Sequence, residues 1–380
     1  MGEAGRKMAQ PRQTLLEEFS AVLSSVRSRT FPYVPKKPAG TSWARYDEAQ
    51  ENEYPGVIRL VARMVDAASL SYELVRHDAA GRSCSRSDDI AKFVLAQQYE
   101  GRSDRVSIGY LRMMRRHLRA HGSVSYKTLE NAYDDPDIIA ILNDVFFLTQ
   151  LPVKDLEHEF ASDGTCHPTT IKQNWESSKD EILRLAKKKR AGAKQRRRHE
   201  FEKTVLAVGT TFKIIASFAR TKSPFSNECP YLRPLLRQVV ELYAMVAKVC
   251  ADSGLLSREN CTLIEGVGAV PRILPKTNVT LKARGSQAWK RMLMEFLEDT
   301  QGWLREYHSR SIVETVNSTL KRLFGPLMKR LVERKATEIL ARICVYNIRQ
   351  LVYLKYTRGI NPNAIRPISP RPVPQIAQLQ

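Results

Sequence analysis

The spacing of apolar residues changes near residue 159, and no other feature of the sequence constrains the fold as strongly. Over residues 51–151 the apolar residues recur at intervals of three and four, as on one face of an α-helix. Beyond that point, short apolar runs of strand length alternate with helical segments. Strands that alternate with helices are typical of an α/β sheet. We therefore predict a helical region followed by an α/β domain.

The predicted sheet domain covers residues 156–356. Its expected strands are short runs rich in apolar and β-branched residues: 160–163, 204–209, 212–219, 249–252 and 270–274. The second and third of these should form a hairpin around Gly209. Helices are expected over 231–248, from a cap at Ser257, and through most of 286–356. The sheet should therefore carry a helical C-terminal flank, followed by a flexible tail over 357–380.

The first 155 residues divide into two predicted parts. Residues 1–50 contain Pro32, Pro35 and Pro38 among basic and small residues, and we expect a loose arm there. Residues 51–155 form the helical region, in which segments 107–119 and 125–132 flank a short turn containing glycine. This pattern suggests a helix-turn-helix-like module that faces DNA. Most helical hairpins bind no DNA, so the spacing alone leaves both interpretations open.

The charge of the chain is strongly unbalanced. Its 380 residues contain 61 Lys and Arg against 40 Asp and Glu, a formal charge of +21. Such an excess favours a polyanionic partner, although some basic chains use charge only for solubility. The densest run, over residues 179–203, holds eleven basic residues against four acidic ones. We expect nucleic-acid contact there rather than a merely solvated face, through Lys187, Lys188, Lys189, Arg190, Arg196, Arg197 and Arg198.

Several classes of protein are not indicated. The six cysteines form no C-x-x-C pair, so the spacing gives no sign of a zinc ribbon or a disulfide framework. The sequence also lacks an uncharged apolar stretch of the roughly 18–20 residues that span a bilayer, and its first residues lack the apolar core of a signal peptide. We expect a cytoplasmic, nucleoid-associated protein with no membrane contact.

Two isolated carboxylates follow predicted strands. Asp163 is followed by Gly164, and Asp252 by Ser253 and Gly254. Small residues let the backbone turn away and leave the carboxylate facing a cleft. In open α/β sheets such clefts at strand ends are the usual ligand sites. Both residues are therefore candidate site residues.

A third carboxylate lies in a polar stripe near the C-terminal end. Tyr307, Arg310, Glu314 and Lys321 are separated by three, four and seven positions, which return to the same side of a helix. An ion pair between Arg310 and Glu314 alone would explain part of this stripe. The interval between Asp252 and Glu314 has room for one strand and two helices, but not for a large inserted β-domain.

These segments together resemble one known family. The stripe matches Y-x2-R-x3-E-x6-K, the signature of a large group of bacterial and archaeal insertion-sequence transposases, without a gap or substitution. F-A-S-D-G-T, ending at Thr165, is similar to the first catalytic segment of that group. C-A-D-S-G-L-L-S-R-E-N, ending at Asn260, with P-K-T-N over 275–278, is similar to the second. The resemblance covers about residues 105–355, and Leu255 departs from it where many members have an aromatic residue.

The resemblance implies a ribonuclease H-like fold and a DDE triad of Asp163, Asp252 and Glu314. These carboxylates would hold two Mg²⁺ or Mn²⁺ ions, which activate the attacking oxygen and stabilise the leaving oxygen at phosphorus. Water would cleave the element's end first, and the freed 3′-hydroxyl would then attack target DNA in cut-and-paste transposition. Tyr307, Arg310 and Lys321 would contact the phosphates and terminal nucleotides.

The resemblance also implies partners and an alternative. We expect double-stranded DNA, both the element's terminal inverted repeats and the target, and a homodimer on that DNA, but no small-molecule cofactor. No protein nucleophile or histidine base is required, so His167 and His308 should be surface or supporting groups. Trp289 is expected in the core rather than stacked on a base. The alternative is a catalytically inactive, transposase-derived protein that binds specific DNA.

Overall fold

The structure, a computed structural model, describes residues 12–36, 40–72, 85–172 and 199–365. Its strands form one mixed sheet: β1 Glu159–Lys172, β2 His199–Gly209, β3 Ile215–Arg220, β4 Lys248–Ala251 and β5 Val270–Ile273. Their order is β3-β2-β1-β4-β5. β1 pairs antiparallel with β2, and β2 with β3, whereas β1, β4 and β5 run parallel. The α/β class predicted from the sequence is confirmed.

The helices lie before β1, between the later strands and after β5. Those that precede β1 are α1 Arg12–Arg27, α2 Trp43–Glu51, α3 Glu53–Ala68, α4 Ser87–Glu100, α5 Asp104–Met114, α6 Tyr126–Asn131 and α7 Pro136–Leu148. Those that follow β3 are α8 Leu232–Leu242, α9 Arg258–Gly266, α10 Gln287–Glu298, α11 Thr300–Tyr307, α12 Ser311–Phe324 and α13 Val332–Arg358. Between Asp252 and Glu314 the chain forms one strand and three helices, one helix more than predicted, and no inserted β-domain.

Each face of the sheet packs into its own hydrophobic core. Side chains alternate along a strand, so Phe160 points to one core and Ala161 to the other. The first core joins the sheet to α12, α13 and the helical region over residues 57–153. The second core joins it to α1 and α8–α11. The helical region and the sheet therefore share one continuous interior.

Helix α13 fixes the edge of the sheet to the helical region. It packs on α2, α3, α4 and α7, and its side chains are buried along most of its length. Asn347 accepts a hydrogen bond from the backbone amide of Ile215 and donates one to the Ile215 carbonyl, both at 2.9 Å. This amide side chain replaces a strand partner at the edge of β3.

The N-terminal segment differs from the predicted loose arm. Residues 12–27 contain neither Pro nor Gly and form α1. Phe19 and Leu23 are buried in the second core. The Arg27 guanidinium donates a hydrogen bond to the Pro275 carbonyl. Pro32, Pro35 and Pro38 come after this helix and so do not interrupt it. The prediction of a loose arm was therefore wrong for residues 12–27.

Two predicted boundaries also move. The strand expected to end at Asp163 continues to Lys172, because β2 pairs with it antiparallel beyond that point. The helix expected over 231–248 ends at Leu242, and Tyr243 takes an extended backbone with its side chain buried. The chain needs an extended approach because β4 already pairs with β1 at Lys248.

The predicted helix-turn-helix-like segment has a longer connection than expected. α5 ends at Met114 rather than at Arg119, and α6 begins at Tyr126. Leu118, inside the connection, is fully buried, so the chain leaves the helix to place it in the core. A helix-turn-helix motif joins its helices by three or four residues. The short turn predicted here was therefore wrong, while both helices exist.

Among the described residues, one segment, Pro136–Val153, is long and apolar enough to cross a membrane by length and composition, with a mean hydropathy of 1.3. It includes α7 and the charged residues Asp137 and Asp144. Half of the window is buried inside the protein, where α7 packs on α3, α4 and α13. We interpret it as a core helix.

Candidate active site

The structure brings Asp163 and Asp252 together where the parallel pairing of β1 and β4 ends. We call this end of the parallel strands the sheet edge. Ser162 of β1 is in register with Ala251 of the parallel strand β4. Asp163 follows Ser162 on β1, and Asp252 follows Ala251, the last residue of β4. The two aspartates therefore lie side by side where the parallel pairing ends. Asp252 also begins a short 3-10 turn, in which its Oδ2 accepts a hydrogen bond from the Gly254 amide at 3.4 Å. Neighbouring parallel strands thus set both positions.

Glu314 lies in the first turn of α12, which packs on β1 and β2. Arg310 connects it to the strand ends, because Arg310 Nη2 donates to Glu314 Oε1 at 2.5 Å and Arg310 Nη1 lies 3.8 Å from Asp252 Oδ1. The guanidinium therefore lies between these two carboxylates. Within the described ranges, the ligand oxygens of Asp163, Asp252 and Glu314 do not all lie within 4.8 Å of one another.

The predicted polar stripe is not on one helix. α11 ends at Tyr307, residues His308–Arg310 form a 3-10 turn, and α12 begins at Ser311. The break has a packing cause: α11 belongs to the second core and α12 to the first, so the chain crosses the end of the sheet here. Arg310 stands at this crossing.

The side chains of the stripe have different exposures. The Tyr307 ring is buried and stacks on Trp303, with centroids 5.3 Å apart. Tyr307, which we expected to contact DNA, is therefore part of the hydrophobic core. Lys321 is exposed on α12, and the Arg310 side chain is 19% exposed. Arg310 and Lys321 are thus cations that solvent can reach, whereas the buried Tyr307 ring packs in the core just before the His308–Arg310 turn.

Asp163 occupies the most buried position of the triad. Burial raises the pKa of its carboxyl to about 6, the positive charge of Arg310 opposes this rise, and the negative charges of Glu228 and Asp252 add to it. Asn317 Nδ2 donates a hydrogen bond to Asp163 Oδ2 at 3.3 Å. The site therefore holds several carboxylates whose mutual repulsion is only partly compensated.

The donor atoms at this edge suit a hard divalent cation. Mg²⁺ and Mn²⁺ prefer carboxylate and carbonyl oxygens, and Asp163, Asp252 and Glu314 supply them. Two further buried oxygens near Asp163, Asn317 Oδ1 and Thr165 Oγ1, have no hydrogen-bond partner among the described residues. A hydrated cation would supply partners for such oxygens. The residues present therefore fit a divalent metal.

A second acidic cluster lies away from the sheet. Ligand atoms of Asp88, Asp89 and His121 lie within 4.8 Å of one another. Asp88 accepts a hydrogen bond from Arg86 at 2.9 Å, and Asp89 accepts bonds from the backbone amides of His121 and Gly122. These contacts show a structural role, since Asp89 holds the connection between α5 and α6.

The remaining predicted residues have various locations. The basic-run residues Lys187, Lys188, Lys189, Arg190, Arg196, Arg197 and Arg198 lie outside the described residues. His167 is buried, which lowers its pKa to about 3, and its Nε2 lies 2.9 Å from Thr204 Oγ1. His308 is exposed beside Tyr33. Trp289 is buried, as expected, and its indole donates to the Thr280 carbonyl at 3.0 Å.

Sequence reasoning missed one acidic residue at this edge. Glu228 lies in the loop between β3 and α8, and its carboxylate lies against Gly164, the residue after Asp163. Lys203 Nζ lies 2.7 Å from Glu228 Oε1. The available signal was weak, because Glu228 follows no apolar run directly and belongs to none of the quoted motifs.

Carboxylates from two neighbouring parallel strands and a covering helix offer oxygen ligands of the kind that hold Mg²⁺ together with substrate phosphates. Residues 157–348, about half of the chain, match the transposase DDE domain family, and the chain belongs to that family. The resemblance predicted from the motifs is confirmed.

A curated relative supports the same assignment. The chain is 26% identical over 206 residues to a probable transposase for insertion sequence element ISA1214 from Archaeoglobus fulgidus. The aligned part covers 54% of this chain and 57% of the relative. The chain therefore spans a little over half the length of that relative.

Proposed function

We propose that this protein is the transposase of an insertion sequence, with Asp163, Asp252 and Glu314 as its metal-binding catalytic triad. The observation that carries the proposal is the meeting of three elements at one edge, since β1, β4 and α12 each deliver one carboxylate there. The strand order, with an antiparallel β1–β2–β3 unit and parallel β4 and β5, supports a ribonuclease H-like fold for this domain.

In the proposed mechanism the three carboxylates hold the ions and orient the scissile phosphate. Two bound Mg²⁺ or Mn²⁺ ions would activate the attacking oxygen and stabilise the leaving oxygen during in-line displacement. Asp163 and Asp252 occupy the rigid sheet edge, whereas Glu314 is half-exposed on a helix and can approach from the solvent side. Asn317 keeps the Asp163 carboxylate oriented through its hydrogen bond.

Arg310 has a separate part in this proposal. In the structure its guanidinium compensates the charges of Asp252 and Glu314. When cations and DNA bind, the same guanidinium can turn toward a phosphate, for which it has the right charge and donor geometry. Lys321, seven residues after Glu314 on α12, would contact the backbone further along the DNA.

The helical region offers a surface for the DNA flanking the cleavage point. The stretch from the residues just before α5 to the connection after it carries exposed arginines: Arg102, Arg105, Arg112, Arg115, Arg116 and Arg119. Such a patch supplies salt-sensitive affinity for phosphates. We propose that this surface and the basic run of residues 179–203 bind the terminal repeat, and that two protomers pair when two ends are joined.

A single substitution separates binding from cleavage. We expect Asp252→Asn to bind terminal-repeat DNA in a gel-shift assay as the wild type does, but to lose Mg²⁺-dependent nicking of the same DNA. Asn keeps the size of the side chain and removes the charge that attracts the cation. Glu259→Gln is a matched control, because Glu259 is an exposed partner of Arg233 outside the site.

Three outcomes are informative. Nicking that persists in Asp252→Asn would overturn the assignment of the site. A wild-type protein that shifts the DNA but never nicks it in Mg²⁺ or Mn²⁺ would favour the inactive DNA-binding alternative. Loss of nicking in Glu259→Gln as well would show that the assay reports general damage rather than the site.

A further inference from the structure

Glu228 lies against the sheet edge that carries the triad. A methyl group at Gly164 would overlap the Glu228 carboxylate in its present position beside β1. A methyl group at Gly254 would lie 3.6 Å from Glu228 Oε2 and 3.8 Å from Asp252 Oδ2. The Glu228 and Asp252 carboxylates therefore both lie next to Gly254, and the close approach of Glu228 to β1 occurs at Gly164.

Hydrogen bonds hold the Glu228 loop in this position. Asn260 Nδ2 donates to the Cys229 carbonyl at 3.0 Å and to the Leu255 carbonyl at 2.7 Å. These bonds join the loop that follows Glu228 to the loop that follows Asp252, and Asn260 itself is buried. The backbone next to Glu228 is therefore held close to the backbone that follows Asp252.

The charge of Glu228 is compensated by one cation in the described part of the chain. Lys203 Nζ lies 2.7 Å from Glu228 Oε1 and also donates to the Ser226 carbonyl at 3.2 Å. Both side chains are largely shielded from solvent, with 16% of Lys203 and 20% of Glu228 exposed. Holding an anion this close to Asp163 and Asp252 is electrostatically costly, and a bound cation would offset that cost.

We propose that Glu228 is a fourth carboxylate of the divalent-cation site, and that Lys203 is its counter-ion in the metal-free protein. This inference rests on the proposed function of the triad. Glu228 would bind a cation directly or through one of its water ligands. Binding would weaken the contact with Lys203 and leave that cation available to a phosphate.

The neighbourhood of Asp163 supplies an independent indication of a ligand. Asn317 is more than nine-tenths buried, donates to Asp163, and leaves its Oδ1 without a partner among the described residues. Thr165 Oγ1 is likewise buried and without a partner there. Buried polar atoms are almost always satisfied in native proteins. The edge is therefore built to receive a further polar or ionic group.

The competing explanation is a purely structural ion pair. In that case Glu228 and Lys203 would stabilise the β3–α8 loop, and loss of either partner would have the same effect on stability. A metal-site role predicts opposite effects on cation affinity instead. Removing Glu228 takes a ligand away, whereas removing Lys203 takes away a competing positive charge.

The test is a Mn²⁺ titration of the full-length protein without DNA, followed by the EPR signal of free Mn²⁺. We expect Glu228→Gln to weaken Mn²⁺ binding by about 10- to 100-fold, the range seen when a group supporting a metal site is removed. We expect Lys203→Met to tighten binding several-fold, since a unit charge near the ion is lost. Glu228→Asp should recover part of the affinity, and Glu259→Gln should bind as the wild type does.

The failures can be told apart. Unchanged Mn²⁺ affinity in both Glu228→Gln and Lys203→Met, with Asp252→Asn strongly weakened, would overturn the role of Glu228 and leave the triad standing. Unchanged affinity in Asp252→Asn as well would overturn the proposed function itself. Thermal unfolding of each variant checks folding, and Glu228→Gln keeps the shape of the side chain. Weaker binding in Lys203→Met would also contradict the proposal.

Discussion

Two acidic clusters in this molecule differ in how their charges are satisfied. In the helical region, Asp88 pairs with Arg86, and Asp89 accepts the backbone amides of His121 and Gly122. At the sheet edge, Asp163 is buried beside other anions, and the oxygens of its neighbours Asn317 and Thr165 have no partner among the described residues.

The comparison of the two clusters shows which property distinguishes a metal site from a structural group of carboxylates. By distance alone the helical cluster is the better candidate, since its ligand atoms all lie within 4.8 Å of one another and those of the triad do not. Its carboxylates already have hydrogen bonds and charged partners, however, so an ion would have to replace them. At the sheet edge an ion would relieve repulsion and satisfy free oxygens. Unsatisfied charge, rather than closeness, distinguishes the site.

The largest expected effect is on catalysis. Asp163→Asn should lower the rate of DNA nicking by about 10³-fold or more, because the metal-held transition state loses several kcal/mol of stabilisation. Asp89→Asn should leave the nicking rate within about twofold of the wild type, measured under the same conditions. Equal losses in the two variants would remove the distinction between the clusters.

The next effect concerns stability, and here the substitution in the helical cluster should have the larger effect. Asp89→Asn should lower the free energy of unfolding by about 1–3 kcal/mol, because a buried charged acceptor of backbone amides is lost. Asp163→Asn should leave the stability unchanged or raise it, since it removes a buried charge among like charges. Urea unfolding of both variants in EDTA measures this, and a clearly destabilised Asp163→Asn would contradict our account.

The smallest effect is a dependence of stability on pH. The folded protein binds a proton at Asp163 more tightly than the unfolded chain, because burial raises the pKa of this carboxyl from 3.8 to about 6. The free energy of unfolding should therefore fall by at most about 3 kcal/mol as pH rises through this window, and by less to the extent that solvent screens this partly exposed carboxyl. Asp163→Asn should lack this component, as urea unfolding in EDTA at pH 4 and pH 7 can show.

Much of the sheet and its carboxylates was predictable from the sequence. Apolar runs of strand length located the hairpin of β2 and β3 and the parallel strands, and Ser257 caps α9 as expected. The rule that sites lie at strand ends predicted Asp163 and Asp252 as candidates, although β1 continues past Asp163 to Lys172. These features depend on local pattern, which a single sequence contains.

The rest depends on tertiary packing. The break at His308–Arg310 exists because α11 and α12 pack on opposite faces of the sheet, and the spacing of the polar stripe is equally compatible with one helix. Glu228 approaches β1 where Gly164 has no side chain to obstruct it. No periodicity along the chain reports such a contact.

The central claim is that the sheet edge, and not the helical cluster, binds the catalytic cations. Crystals soaked in Mn²⁺ and measured for anomalous scattering would test it most directly. We predict anomalous density between Asp163, Asp252 and Glu314, with Arg310 displaced from its present contacts, and none at Asp88 and Asp89. Density at Asp88 and Asp89 with none at the sheet edge would contradict the account.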